Sequence, residues 1–400
     1  MKKGNLLGLV FFCLSLTSCE EWFHPRSRYE HSLLVYMAAD NSLSELAKTN
    51  MQELLAHASL PEDHALFVYT DGKEQGAYLI RIYKRNHITR ADTLFRYGMV
   101  NSAHPDMLEQ AIKHAREVCP AKTYGLILWS HGTGWLPAGL YGETPKYAVT
   151  PLSLTPVAAF QYNIDDPAYP RTKTFAKDGS AEMEIPDLAG VLKRFTHEYV
   201  CFDACLMADI QTYYRLKDVS RYLMGSPTEI IDTGFPYDKL TTSLFPYVGE
   251  SSLIALCNAY YNKYNEQTGY YRSATISLVR TDRIQEVALA FKNLINNSST
   301  DPLTVDRTGL QTYDRLTEHV FWDMDRMAAL LGSAEDYATF STALKRAVVF
   351  KKATDNFITI PIEYFSGLAA YLPVTTLPRT QEAFEATAWN KYLGWMPRTD

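Results

Sequence analysis

Tyr199-Val-Cys-Phe-Asp-Ala-Cys-Leu-Met-Ala-Asp209 is the stretch from which the rest of the chain is best read. Tyr199 to Phe202 is a short apolar run rich in β-formers, which predicts a buried strand. It passes through Asp203 and Cys205 into a segment, Leu206 to Leu216, whose pattern predicts a helix. A cysteine at such a junction is expected at the open edge of a sheet, facing solvent and near a helix N-terminus. Both features favour a nucleophilic thiolate. A thiolate needs a base, and Tyr124-Gly-Leu-Ile-Leu-Trp-Ser-His-Gly-Thr-Gly-Trp135 supplies one in a similar setting. There the apolar strand Leu126 to Trp129 runs straight into Ser130 and His131. Gly132 and Gly134 let the backbone turn and leave space beside the imidazole. If the two strands are parallel neighbours, His131 and Cys205 share one rim, as a Cys–His dyad requires.

Ser32 to Met37, Ala65 to Thr70 and Ala77 to Lys84 read as strands, and Asp40 to Ala58 as a helix with Ser42 or Ser44 as its cap. Pro105 to Val118 is amphipathic and leads into the His131 strand. Asp187 to Phe195 is helical and leads into the Cys205 strand, and Tyr222 to Gly225 adds a short strand. Strands alternating with helices, with chemistry at the strand ends, predict an α/β fold with a mostly parallel sheet covered by helices. Beyond Asp238, Ser252 to Tyr264, Arg283 to Asn296, Tyr313 to Leu331 and Ala334 to Lys351 read as helices. Ala274 to Val279 and Gly367 to Leu372 read as strands. The expected division is a core over 31–240 and a mainly helical part over 241–400, which completes the sheet or packs on it as a subdomain. The core carries a long loop, 136–184, with six prolines from Pro137 to Pro170. Loops of this length are usually functional or disordered.

With 46% hydrophobic and 21% charged residues, the chain can bury a large core. A net charge of −6 and the absence of a basic run give no electrostatic footprint for nucleic acid. Residues 1–18 read as a signal peptide: Lys2 and Lys3 precede the apolar run Leu6 to Leu16, and Leu16-Thr17-Ser18 precedes Cys19. The run is short for a membrane span. Cleavage before Cys19 and acylation of its thiol would make a bacterial lipoprotein, tethered through residues 19–30. Glu20 and Glu21 resemble the surface-export signal of some Bacteroidetes lipoproteins, which points to the outer membrane or cell surface, with the periplasmic face as the other option.

Cys13 and Cys19 belong to that segment, so Cys119, Cys201, Cys205 and Cys257 remain. Within one strand Cys201 and Cys205 would stand about 13 Å apart, too far for a disulfide. Cys201 reads as core. Cys119 and Cys257 read as buried thiols or as partners in a disulfide. No pair or cluster has zinc-ligand spacing.

Ser130-His-Gly132 followed by Asp203-Ala-Cys-Leu-Met-Ala208 resembles the clostripain family of cysteine peptidases, in the larger group of caspases, legumains and gingipains. The resemblance runs in order through Val35-Tyr-Met-Ala-Ala-Asp-Asn-Ser-Leu43, Ser226-Pro-Thr-Glu-Ile230, Gly234-Phe-Pro-Tyr237 and Gly367-Leu-Ala-Ala-Tyr-Leu-Pro373. It implies a caspase-like α/β/α sandwich and a cysteine endopeptidase acting on peptides or proteins. Cys205 would be the nucleophile and His131 the proton carrier, with the N–H groups of Gly132 and Cys205 as oxyanion hole.

The family cleaves after Arg or Lys, which implies a carboxylate in the pocket for that side chain. Asp203 matches the aspartate two residues before the nucleophile. The second pocket aspartate falls in Ile231-Asp-Thr-Gly-Phe-Pro-Tyr237, where Asp232 stands one place from the family position and Thr233 occupies it. Precursors of the family can be cut in the long loop, which makes Lys146, Arg171, Lys173 and Lys177 candidate self-processing sites. Some members need calcium, for which acidic loops could supply oxygens, although there is no EF-hand pattern. No other cofactor is implied. The alternatives are a surface lipoprotein that binds peptides or proteins with little hydrolysis, and a transpeptidase using the same dyad.

Overall fold

The computed structural model describes residues 29–72, 75–143, 181–246 and 248–396. The signal segment, Cys19 and loop residues 144–180, with Lys146, Arg171, Lys173 and Lys177, lie outside the described residues.

The elements follow in order: β1 (Tyr29–Ala38), α1 (Ser44–His57), β2 (His64–Gly72), β3 (Gly76–Arg85), β4 (Ile88–Gly98), α2 (Pro105–Val118), β5 (Ala121–Trp129), α3 (Leu140–Glu143), α4 (Ile185–Leu192), β6 (His197–Asp203), α5 (Ile210–Leu216) and β7 (Ser220–Gly225). Then come α6 (Leu240–Leu244), α7 (Glu250–Asn265), β8 (Thr275–Arg280), α8 (Ile284–Asn297), β9 (Trp322–Asp323), α9 (Met324–Leu331), α10 (Ala334–Ala347) and β10 (Val348–Ala353).

Nine of these strands form one sheet in the order β10-β8-β7-β6-β5-β1-β2-β3-β4. The central five, β7 to β2, are parallel, and antiparallel strands close both ends. β1, β5 and β6 carry the apolar runs Leu33–Met37, Leu126–Trp129 and Tyr199–Phe202 because both their faces are covered there, whereas β4 is largely exposed at the edge. From β1 the chain moves outward to β2. It returns through α2 to β5 on the other side of β1, then steps away through α4 and α5 to β6 and β7. Right-handed crossovers running in opposite directions put their helices on opposite faces. Accordingly α2, α4, α5 and α8 pack in one layer and α1, α6 and α7 in the other. This is the helix-covered, mostly parallel sheet the sequence predicts. The strand order reverses between β1 and β5, and the crevice beyond the C-terminal ends of strands at such a switch point is where α/β proteins bind ligands.

Several elements differ from expectation. The helix foreseen over Tyr313 to Leu331 begins only at Met324. Asp314 accepts hydrogen bonds from the backbone N–H groups of Leu316, Val320 and Phe321 and pairs with His319, and these local bonds replace a helical turn. The helix expected to run to Lys351 stops at Ala347, and the β-branched pair Val348-Val349 opens β10, which joins β8. The strand foreseen over Gly367 to Leu372 shrinks to Ala369–Ala370, paired with β9. Cys119, Cys201, Cys205 and Cys257 are all free thiols. No helix of the described residues is long and apolar enough to cross a membrane.

Candidate active site

The parallel register matches Trp129 of β5 with Asp203 of β6, and Met37 of β1 with Trp129. His131 and Cys205 therefore each lie two residues past a matched pair, at the rim of neighbouring strands. Gly132 reports how closely the two strand ends approach. A Cβ there would stand 2.5 Å from the Cys205 carbonyl oxygen and 3.1 Å from its nitrogen, so only glycine fits.

The thiol does not face solvent, which corrects the expectation from sequence: Cys205 is 0% exposed. Its sulfur accepts the Ile230 N–H at 3.1 Å, with the Ile230 carbonyl oxygen at 3.7 Å. Nor does a helix begin at Leu206. The N–H groups of Leu206 and Ala208 bond to the carbonyls of Thr228 and Ser226, at 2.9 and 3.0 Å, so the backbone goes on pairing beyond the strand. Leu206 takes a left-handed conformation, with φ +63. α5 starts at Ile210, capped by the Asp209 carboxylate, which accepts from the Thr212 N–H at 2.8 Å.

A buried polar cluster lies beside the Cys205 segment. The Tyr141 hydroxyl, from α3, donates to Glu229 at 3.3 Å, and Arg315 Nε donates to the other Glu229 oxygen at 2.5 Å. Burial, then the negative charges of Glu229 and Asp314, hold the Tyr141 phenol well above its ordinary range, and Cys205 is close enough to add to the effect. The long loop leaves and returns beside this cluster. Glu184 and Glu182 accept the N–H groups of Ala138 and Gly139, at 2.8 and 3.1 Å, and so join its two ends.

His131 is nearly buried, and its Nε2 meets the Ser42 hydroxyl at 3.1 Å. Ser42 is not a helix cap as expected. α1 begins at Ser44 without a side-chain cap, and Ser42 sits in a turn built by Asn41. The Asn41 side chain accepts the Leu43 N–H at 2.8 Å and donates to the Ala38 carbonyl at 3.0 Å, where Ser130 also donates. The ends of β1 and β5 are thereby tied together. A mainly apolar crevice opens beside His131 and Gly132, walled by Ala204, Met207, Met183 and Ile185. The wider cleft at the opposite end of the strands is a different kind of surface. Its Lys193, Lys217, Arg221 and Arg280 are each paired with an acid.

Asp203 is wholly buried and braces the following loop, accepting from the Phe235 N–H at 3.2 Å and the Tyr237 hydroxyl at 3.0 Å. Asp232 is half-buried on that loop. Burial, then the nearby Asp203 and Asp232 carboxylates, hold the Tyr264 phenol well above its ordinary range, while a hydrogen bond from Thr233 works against them. Lys263 caps the loop carbonyls of Thr233, Gly234 and Phe235 at 3.1, 3.1 and 3.3 Å. Trp129 and Trp135 pack: Trp129 donates to Asn50 at 3.0 Å, and Trp135 lies at a tilt against Tyr371. Among the described residues no three His, Cys, Asp or Glu side chains group as a metal site. Sequence reasoning missed Ile230 and Tyr141 as neighbours of the thiol, and Arg315 as the partner of Glu229. The only signal near them was Ser226-Pro-Thr-Glu-Ile230.

A sequence model described as the clostripain family matches residues 35–145 and 161–359. Among solved structures, the chain is similar to an inactive zymogen C11 protease from Parabacteroides distasonis, at 27% identity and TM-score 0.76, over 92% of this chain and 98% of that one. It is also similar to a secreted C11 cysteine protease from Bacteroides thetaiotaomicron in complex with an irreversible peptide inhibitor. That match has 24% identity and TM-score 0.74 over 92% of this chain and 99% of the other, a likeness of fold. No curated protein matches the chain.

Proposed function

The chain belongs to the clostripain family of cysteine peptidases, and from that premise we propose that Cys205 and His131 are its catalytic dyad. The observation that carries the reading is the β5–β6 register, with Gly132 packed on the Cys205 backbone. Cys205 Sγ attacks the scissile carbonyl as its proton passes to His131. His131 returns that proton to the leaving amine, and water, deprotonated by His131, then hydrolyses the thioester. The Gly132 and Cys205 N–H groups face the developing oxyanion, and their adjacent backbones support this role. The Ile230 N–H donates to the sulfur and its carbonyl oxygen lies 3.7 Å away, so this residue fixes the position of the thiol.

Cleavage follows Arg or Lys, with Asp203 at the floor of the pocket and Asp232 at its rim. Support comes from the 231–237 loop, which carries Asp232 and donates its Phe235 N–H and Tyr237 hydroxyl to Asp203. The buried thiol supports a resting form covered by α3, and the joined loop ends support activation by a cut in the 144–180 segment. The solved relative described as an inactive zymogen is in keeping with such a form. The N-terminal pattern ending at Cys19 supports a lipid-anchored protein at the bacterial outer membrane or cell surface.

The test is a peptide library of varied P1 residue, incubated with the protein and with Cys205→Ala, with and without calcium, and read by mass spectrometry. Cysteine-dependent cleavage after Arg or Lys, together with cuts between 144 and 180, is the expected result. Cleavage after other residues would overturn the specificity. No turnover and no labelling of Cys205 by a thiol-reactive peptide would leave a binding protein with a peptidase fold.

A further inference from the structure

We propose that Ser42 is the positioning residue of the dyad: its hydroxyl oxygen accepts the His131 Nε2–H, so that Nδ1 is the nitrogen that exchanges protons. This rests on the dyad reading above. The sheet order β6-β5-β1 puts His131, beyond the middle strand, between two neighbours. Ser42 reaches it from the β1 side, with 3.1 Å between Oγ and Nε2, while Cys205 stands on the β6 side. With Nε2 engaged toward β1, proton traffic with the sulfur belongs to the ring's other nitrogen.

The hydroxyl can accept the ring N–H and turn its own hydrogen to water, because Ser42 is exposed. Its placement is held by side chains bonded to backbone: Asn41 accepts the Leu43 N–H and donates to the Ala38 carbonyl, and Ser130 donates to the same carbonyl, which fixes the end of β1. The proton balance closes. Nδ1 takes the thiol proton as the S–C bond forms, the imidazolium keeps Nε2–H on Ser42, and Nδ1–H passes to the amine nitrogen as the C–N bond breaks. Ser42 accepts a hydrogen bond throughout and never carries the transferred proton. It is worth most when the ring is positive, since a hydrogen bond to a charged donor is stronger than one to a neutral donor.

The experiment compares the protein with Ser42→Ala and Ser42→Thr. Ser42 is exposed, so all three are expected to fold alike. Ser42→Ala should lower kcat about 10-fold with KM little changed, as for loss of one charge-assisted hydrogen bond, and Ser42→Thr should restore it. Nitrogen-15 spectra of histidine-labelled protein should place the neutral proton of His131 on Nε2, and this preference should be lost in Ser42→Ala. Unchanged kcat in Ser42→Ala, or a proton on Nδ1 in the parent protein, would overturn the proposal. Failure of the dyad itself would be visible separately, as cleavage surviving Cys205→Ala, and would overturn both.

Discussion

Gly132 lies so close to Cys205 that a methyl group on it would stand 2.5 Å from the Cys205 carbonyl oxygen. Gly132→Ala must push the β5 and β6 strand ends apart, and with them His131 and Cys205. It is expected to destabilise the protein by about 1–3 kcal/mol, typical of overpacking, and to abolish most peptidase activity. Gly190→Ala in α4 is the control. Nothing lies within 4 Å of its missing Cβ, so it should be neutral or stabilise by about 0.5–1 kcal/mol. Urea unfolding of both variants checks the pair, and equal effects would refute the close-approach argument.

Glu229 is 2% exposed and depends on Arg315 and Tyr141 for its partners. Arg315→Met strips a buried carboxylate of its counter-charge and is expected to cost about 3–5 kcal/mol. Glu229→Gln combined with Arg315→Met removes the charge as well as the partner and should recover most of that loss. Because Glu229 precedes Ile230 and holds Tyr141 near the thiol, the single variant should also speed alkylation of Cys205 by iodoacetamide. A labelling rate equal to that of the parent protein would mean that this cluster does not cover the sulfur.

How much of this was legible beforehand follows from the range of the forces involved. Leu126 to Trp129 and Tyr199 to Phe202 announce buried strands by their own side chains, and the residues after them fall at strand ends wherever the strands lie. The loop of Asp314 was not legible, because one carboxylate collecting several N–H groups overrides a helical pattern of apolar residues. The true neighbour of the Cys205 sulfur was also hidden, since Ile230 reaches it from a segment 25 residues away in sequence. Ser42 looked like a cap because serines before helices usually are. Its bond to His131 depends on the parallel pairing of β1 with β5, which no local pattern encodes.

Lys263 holds the loop that carries Asp232 by donating to three successive carbonyls. Lys263→Met keeps the length of the side chain and removes the donors. If the 231–237 loop forms the P1 pocket, KM for substrates with P1 Arg or Lys should rise on the order of 10-fold while kcat changes less. Steady-state kinetics on one peptide series would show it. A fall in kcat at constant KM would move the role of the loop from binding to chemistry.

Asp209 gives the fold an alkaline weakness. Burial, opposed by hydrogen bonds from Thr212, raises its carboxyl from 3.8 to about 7. The folded protein thus keeps a proton that the unfolded chain has given up, and unfolding releases it. The stability linked to this proton is fully present below pH 3.8 and is lost as pH rises through about 7. The span is on the order of 4 kcal/mol at most. His31 and His197, both lowered from 6.5 to about 3 by burial, act at the other end: their contribution is present above pH 6.5 and is lost as pH falls toward 3. Asp209→Asn preserves an N-cap acceptor for α5 and leaves both histidines in place, so it isolates one carboxyl. Urea midpoints from pH 5 to 8 should decline for the parent protein and stay flatter for Asp209→Asn, with the gap widening as pH rises. Parallel curves would show that Asp209 is ionised in the folded protein across this range.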